Sequence, residues 1–385
     1  MIIEILLSFC FIQFLFFNPV FSQPIERLTA SDFEHEVVVS RPDQMYAWPG
    51  ITRVKEQEIL VGATERKYHV DPSGREIVVR SYNGGKTWEL PQEIYDSELD
   101  DRDTNLLTTP DGTIIATWFT SDAFCLPRYF REEWRERAER VTQRMRDELN
   151  GGWLLRSFDG GHTWGPTAHR TPVGQHAGPS VCANGRLVYI GPKKDPDGSA
   201  RMLSFESMDG GMTWKKMGEI ACERSGNPLS PVLNENHILE ISPEHLLVMF
   251  RCEKNAYLYQ SDSYDGGKTW TPAKQLAIWG LPPYLTKLHS GAILCSYGHR
   301  RAPYSIRAVL SYDDGKTWDT ENIITIYEWD HPLDMGYPVT LELTPGQLIT
   351  VYYCNRKHEI FLNPSLQTER QDLPQGILYT RWKLK

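Results

Sequence analysis

Ser263-Tyr-Asp-Gly-Gly-Lys-Thr-Trp270 is one of five near-copies of a single eight-residue phrase. The others are Ser81-Tyr-Asn-Gly-Gly-Lys-Thr-Trp88, Ser157-Phe-Asp-Gly-Gly-His-Thr-Trp164, Ser207-Met-Asp-Gly-Gly-Met-Thr-Trp214 and Ser311-Tyr-Asp-Asp-Gly-Lys-Thr-Trp318. Their starts lie 76, 50, 56 and 48 residues apart. Repetition at such a period marks a fold built from like units. Each copy has the chemistry of a tight turn. Ser and Asp side chains bond nearby backbone N–H groups, Gly supplies positive φ, and Trp folds back over apolar surface. A β-rich run precedes each copy, as in Glu76-Ile-Val-Val-Arg80 and Ala308-Val-Leu310. Every copy therefore reads as a hairpin turn. As a calcium loop, each would have too few carboxylates.

A second pattern lies upstream of each turn: an apolar strand, a short turn and another apolar strand. Leu106–Trp118 turns at Pro110-Asp-Gly112, Ser180–Gly191 at Asn184-Gly185, and His237–Phe250 at Pro243-Glu-His245. Tyr284–Tyr297 and Val339–Tyr353 follow the same plan, and Ile51–Ala63 fits it more weakly. Six units of four short strands predict an all-β, six-bladed β-propeller. The sixth unit lacks the turn phrase. Gly376–Leu384 is its expected third strand, with Glu34–Ser40 from the N-terminal side closing the ring as the outer strand.

The long first spacing predicts one helical insertion, over about 127–150. Trp134, Ala138, Val141, Met145 and Leu149 form one apolar stripe at helical spacing. Pro127 precedes it and Gly151-Gly152 ends it. The helix is expected either to pack on the propeller or to shape the rim of its mouth.

Composition narrows the function. The chain has 385 residues, with 12 Trp, 18 Tyr and 14 Phe, too aromatic for a solvated coil. A formal net charge of −9 argues against nucleic acid as a partner. Residues 1–22 read as a signal peptide, because Ile5 to Phe17 is a nearly unbroken apolar run, short for a membrane span. Cleavage before Gln23 would leave 23–385 as a secreted or periplasmic protein without a membrane span. The cysteines are scattered, with no CxxC and no Cys/His cluster, so no zinc or other metal site is expected. No phosphate loop or nucleotide fingerprint is present, and no cofactor is expected.

Propeller geometry says where chemistry would sit. The first strand of a blade lines the channel and the second runs back, so the start of one and the end of the other share a mouth. Strand-one starts supply Ala47, Trp48, Arg102, Asp103, His176, Glu235 and Tyr337. Strand-two ends supply Arg66, His69, Asp71, Lys193, Lys194, Arg251, Arg300, Arg301 and Arg356. This ring is mostly cationic on an acidic protein, and guanidinium forks suit carboxylate or sulfate.

The five Ser-x-Asp-x-Gly-x-Thr-Trp copies resemble the Asp boxes of sialidases and other BNR-repeat proteins, over essentially the whole mature chain. That resemblance implies a glycoside hydrolase of exo-α-sialidase type and a glycan or acidic sugar as its partner. It implies Tyr337, in Gly336-Tyr337-Pro338, as nucleophile and Glu235 as the base beside it. Asp71 would be the acid/base, with His69 a rival. Arg251 and Arg300 would bind the substrate carboxylate, with Arg301 and Arg307 as alternatives to Arg300. The chain departs from the family where Ala47-Trp48-Pro49 stands for Arg-Ile-Pro. One of three carboxylate anchors is thus absent unless Arg66, Arg102 or Arg356 replaces it. Two other readings stay open: a polysaccharide lyase or other uronate-processing enzyme, with Tyr337 or His69 as base/acid, and a carbohydrate-binding propeller without catalysis.

Overall fold

The turn phrase does what its chemistry requires. In the fourth copy Ser263 Oγ accepts from Gly267 N–H at 2.7 Å, and Asp265 Oδ1 accepts from Lys268 and Thr269 N–H at 3.0 and 2.8 Å. Gly266 and Gly267 take φ of +72° and +97°, which only glycine adopts without strain. Trp270 then reaches the preceding blade: its Nε1 donates to Ser204 Oγ at 3.2 Å and to Gly267 O at 3.0 Å. The phrase therefore turns a hairpin and fastens neighbouring blades.

A computed structural model describes residues 27–174, 176–194, 200–221, 232–330, 334–355 and 375–385. They form six antiparallel sheets of four strands, the six-bladed β-propeller. The innermost strands are Met45–Lys55, Asp100–Thr108, Ser180–Val181, Leu233–Ser242, Pro283–Lys287 and Asp334–Thr344. The sixth blade is completed by Gln347–Asn355, Gly376–Leu384 and, as its outer strand, Ala30–Val39. Pairing the N-terminal and C-terminal strands in one sheet fastens the first blade to the sixth and closes the ring. The core lies between blades. One cluster joins Ile59, Val61 and Val79 of the first blade to Val339, Ile349 and Val351 of the sixth.

The insertion departs from the single expected helix. It holds a 3-10 turn at Glu132–Trp134 and two helices, Arg135–Arg140 and Gln143–Leu149. Val141 is extended, and Thr142 caps the second helix by accepting from Met145 N–H at 3.2 Å. A Thr that caps cannot also continue a helix. The apolar stripe nevertheless faces one way. Trp134, Ala138, Val141, Met145 and Leu149 gather with Val70, Leu99 and Phe124. The insertion packs on the propeller beside the 67–74 loop, where Tyr68 meets Trp134 edge-on at 5.7 Å.

Cys182, Cys252 and Cys295 are buried free thiols. No described helix is long and apolar enough to cross a membrane. The expected signal segment, 1–22, lies outside the described residues, as does Arg356.

Candidate active site

Four inner strands share one irregularity near their starts. The ladder slips between Ala47 and Gly50, Arg102 and Asn105, Asn234 and His237, and Gly336 and Val339. At each slip one residue has left-handed backbone: Trp48 at φ +53°, Asp103 at +68°, Glu235 at +39° and Tyr337 at +53°. A bulge of this kind re-aims a side chain and is costly for a non-glycine residue. Pro49 and Pro338 follow two of these residues directly. Proline cannot donate to a ladder, which makes it compatible with a bulge. The shared bulge gives Trp48, Asp103, Glu235 and Tyr337 equivalent places at the channel mouth.

At the centre Tyr337 Oη donates to Glu235 Oε1 at 2.7 Å. Arg251 Nη1 reaches both, at 2.6 Å to Glu235 Oε2 and 3.2 Å to Tyr337 Oη. Arg251 Nη2 pairs with Glu253 at 3.1 Å. The His176 ring meets Tyr337 edge-on at 4.3 Å, and its buried Nδ1 has no hydrogen-bond partner among the described residues. Arg300 lies 5.6 Å from the Tyr337 ring centre, held by Met335 O at 2.7 Å and Tyr353 Oη at 3.1 Å.

Burial and the nearby Glu235 charge push the Tyr337 phenol well above its ordinary range, against Arg251 and Arg300. Burial would raise Glu235, but Arg251, His176 and the two hydrogen bonds outweigh it, and its carboxyl sits below its ordinary value. Burial lowers His176 to about 4, so the ring is neutral near pH 7. The centre is thus a neutral phenol on an ionised carboxylate, both tied to one guanidinium.

Buried beside this centre, 6.2 Å from the Tyr353 ring, lies Trp48. The Arg66 and Arg102 guanidinium carbons lie 4.8 and 4.7 Å from its ring centre, and His69 meets it edge-on at 5.2 Å. His69 Nδ1 is 3.5 Å from Asp334, whose other oxygen accepts from Tyr353 Oη at 2.6 Å. Ala47 and Trp48 are both buried, in the same core cluster as Tyr337.

Three expected site residues are placed elsewhere. Asp71 is buried in its own loop, where Lys67 N, Tyr68 N, Ser73 N and Ser73 Oγ occupy both carboxylate oxygens at 2.7–2.9 Å. Such a carboxylate shapes a turn. Arg66 is fully buried and ion-paired with Asp100, with Tyr68 O on its Nε, so it supports Trp48 from beneath. Arg307 lies on the third strand of the fifth blade, opposite Tyr297, and its Nε donates to Ser305 Oγ at 2.8 Å. The cationic ring is also partly neutralised. Arg66 and Arg251 each carry an acidic partner, because an uncompensated buried charge is prohibitive. Asp334, Tyr353 and Glu253 join the site without having been expected. Their signal in the sequence is weak, since each belongs to a strand or strand end that packing alone explains.

Among the described residues no group of three or more His, Cys, Asp and Glu is arranged to hold a metal ion.

Residues 141–349, more than half of the chain, match the family described as BNR repeat-like domain. The chain belongs to that family. None of the curated proteins compared matches it. A protein of unknown function from Dyadobacter fermentans is similar in structure, with TM-score 0.73 and 23% identity, over 93% of this chain and 99% of that one. A Hadza microbial sialidase is similar with TM-score 0.60 and 20% identity, over 80% of this chain and 63% of its own. NanB sialidase from Streptococcus pneumoniae gives TM-score 0.61 and 12% identity, over 82% and 67%. At these identities the likeness is one of fold: this BNR repeat chain is a sialidase-like propeller.

Proposed function

We propose that this protein is a secreted or periplasmic glycoside hydrolase of exo-α-sialidase type that removes a terminal acidic sugar from glycans. The observation that carries the reading is the 2.7 Å hydrogen bond from Tyr337 to Glu235. A sugar with a carboxylate on its anomeric carbon repels an anionic nucleophile, and a neutral phenol avoids that repulsion. A phenol is weak at its free pKa of about 10, so it needs a base within hydrogen-bond reach. Glu235 is that base. As the proton crosses to Glu235, negative charge moves onto the phenol oxygen, and Arg251 Nη1 already contacts both ends. Arg251 and Arg300 hold the substrate carboxylate. The sialidases among the proteins of similar fold support the reading.

The test is turnover of a fluorogenic sialoside by residues 23–385, beside Tyr337→Phe. Turnover lost in the variant is the expected result, and a folded wild type without turnover overturns it. The buried Ala47 favours a second reading, a binding-only propeller, which saturable sialoside binding without turnover would identify.

A further inference from the structure

Cleaving a glycosidic bond to an alcohol requires a proton on the leaving oxygen, and Asp71 has both carboxylate oxygens engaged within its own loop. Asp103 differs in each respect. It occupies the inner-strand bulge of the second blade, the register that Glu235 and Tyr337 occupy in the fourth and sixth. Its backbone N–H is fixed by Thr64 Oγ1 at 2.9 Å. Its carboxylate receives no hydrogen bond from the described residues, and Oδ1 is buried without a partner. A buried carboxyl oxygen left unmatched costs free energy, which a substrate group could recover.

We propose that Asp103 is the proton donor to the leaving oxygen and the base that later activates water. The proposal rests on the hydrolase reading of the same site. In the first step Tyr337 oxygen bonds to the anomeric carbon and passes its proton to Glu235. The bond to the leaving oxygen breaks, and that oxygen takes the Asp103 proton. In the second step water bonds to the same carbon and gives a proton to Asp103. The tyrosyl bond breaks, and Tyr337 recovers its proton from Glu235.

The surroundings fit this cycle. Arg102, Arg66, Asp100 and Glu76 face Asp103 from its own side, and Glu235 and Tyr337 face it across the mouth. Burial is the largest influence and raises the carboxyl to about 7. Arg102 and Arg66 pull it down, while Glu235 and Asp100 push it up. A group that is half protonated near neutral pH can both give and take a proton there. His69 is the rival donor, but its Nδ1 faces Asp334 and burial holds it below its ordinary value.

The experiment compares wild type, Asp103→Asn and His69→Ala on two sialosides with the same sugar. Methylumbelliferyl sialoside has a leaving group that departs without a proton; sialyllactose does not. For Asp103→Asn we expect kcat/KM on sialyllactose to fall roughly 10²–10⁴-fold, with a much smaller loss on the aryl substrate. Azide should restore turnover of the aryl substrate by that variant, yielding a glycosyl azide. Asn tolerates left-handed backbone, so the bulge survives the substitution. Should the variant still misfold, the wild-type pH profile decides: kcat/KM on sialyllactose should fall above pH about 7, with no such limb on the aryl substrate. Equal losses on both substrates, or the selective loss and azide rescue in His69→Ala instead, overturn the assignment while leaving the hydrolase reading intact. Wild type that turns over neither substrate overturns both.

Discussion

Tyr337 and Glu235 meet at 2.7 Å although 102 residues and one whole blade separate them. Each sits at the same bulge of its inner strand, at φ +53° and +39°. Two strained backbones thus converge on one hydrogen bond, an arrangement that a purely structural contact does not require. Tyr337→Phe should leave the Arg251–Glu235 pair standing and the unfolding midpoint within a few degrees of wild type. It should remove sialoside turnover. Glu235→Gln should lower turnover by roughly 10²–10⁴-fold, because the phenol loses its base. A Tyr337→Phe enzyme as fast as wild type would remove the phenol from the mechanism.

Arg251 has a structural load that Tyr337 lacks. It neutralises Glu235 at 2.6 Å and Glu253 at 3.1 Å, and its side chain is only 17% exposed. Arg251→Met should cost roughly 2–4 kcal/mol in urea unfolding, since Glu235 is left partly buried and unpaired. Adding Glu235→Gln to that variant should recover part of the loss. A double variant as unstable as the sum of the singles would show that the two side chains are not coupled.

The fold was legible because its signal is repeated. Five turn phrases and six apolar strand pairs fix the blade count, and Gly376–Leu384 with the N-terminal strand could be assigned to the blade lacking the phrase. Tyr337, Glu235, Arg251, Arg300, His176 and Asp103 were legible as places, because strand-one starts and strand-two ends share a mouth. Their partners were not. Nothing in the order Arg66, His69, Asp71 says which side chain turns inward. Ser73 draws Asp71 into its own loop and Asp100 draws Arg66 beneath Trp48. The bulges had one readable sign, the prolines at 49 and 338 inside apolar strands. The insertion shows the opposite case: its 3.6-residue stripe gave the buried face correctly, while Thr142 set a cap that periodicity does not reveal.

The first turn phrase contains a natural control for the others. It has Asn83 where the rest have Asp, and Asn83 Oδ1 still accepts from Lys86 and Thr87 N–H at 3.1 and 2.9 Å. The turn therefore needs an acceptor oxygen, not a charge. Asp265→Asn should change stability little. Asp265→Ala, which removes the acceptor for Lys268 and Thr269 N–H, should cost roughly 1–2 kcal/mol. Equal losses in the two variants, measured by urea unfolding, would mean that the charge is what matters.

Stability should also report a histidine far less exposed to solvent than most. His237 stacks on Tyr284 at 3.8 Å, and its Nδ1 accepts from Leu285 N–H at 3.1 Å, joining the fourth blade to the fifth. A nitrogen that accepts cannot carry a proton, so the folded ring must stay neutral. Burial, reinforced by His176, lowers it from 6.5 to about 3. The unfolded chain therefore binds a proton that the folded chain refuses, and stability is lost as pH falls from 6.5 towards 3. One such group contributes roughly 1.4 kcal/mol per pH unit over that window. His176, lowered to about 4, acts in the same direction, and Asp103, raised to about 7, acts in the opposite one. The informative quantity is therefore the difference between wild type and a variant that keeps the acceptor without titrating. His237→Asn should be less stable than wild type at pH 7, because it loses the stack on Tyr284. That gap should narrow steadily as the pH is lowered to 5. A gap independent of pH would mean that the His237 ring titrates in the folded protein as it does in the unfolded chain, with the Leu285 amide bonded elsewhere when it is protonated.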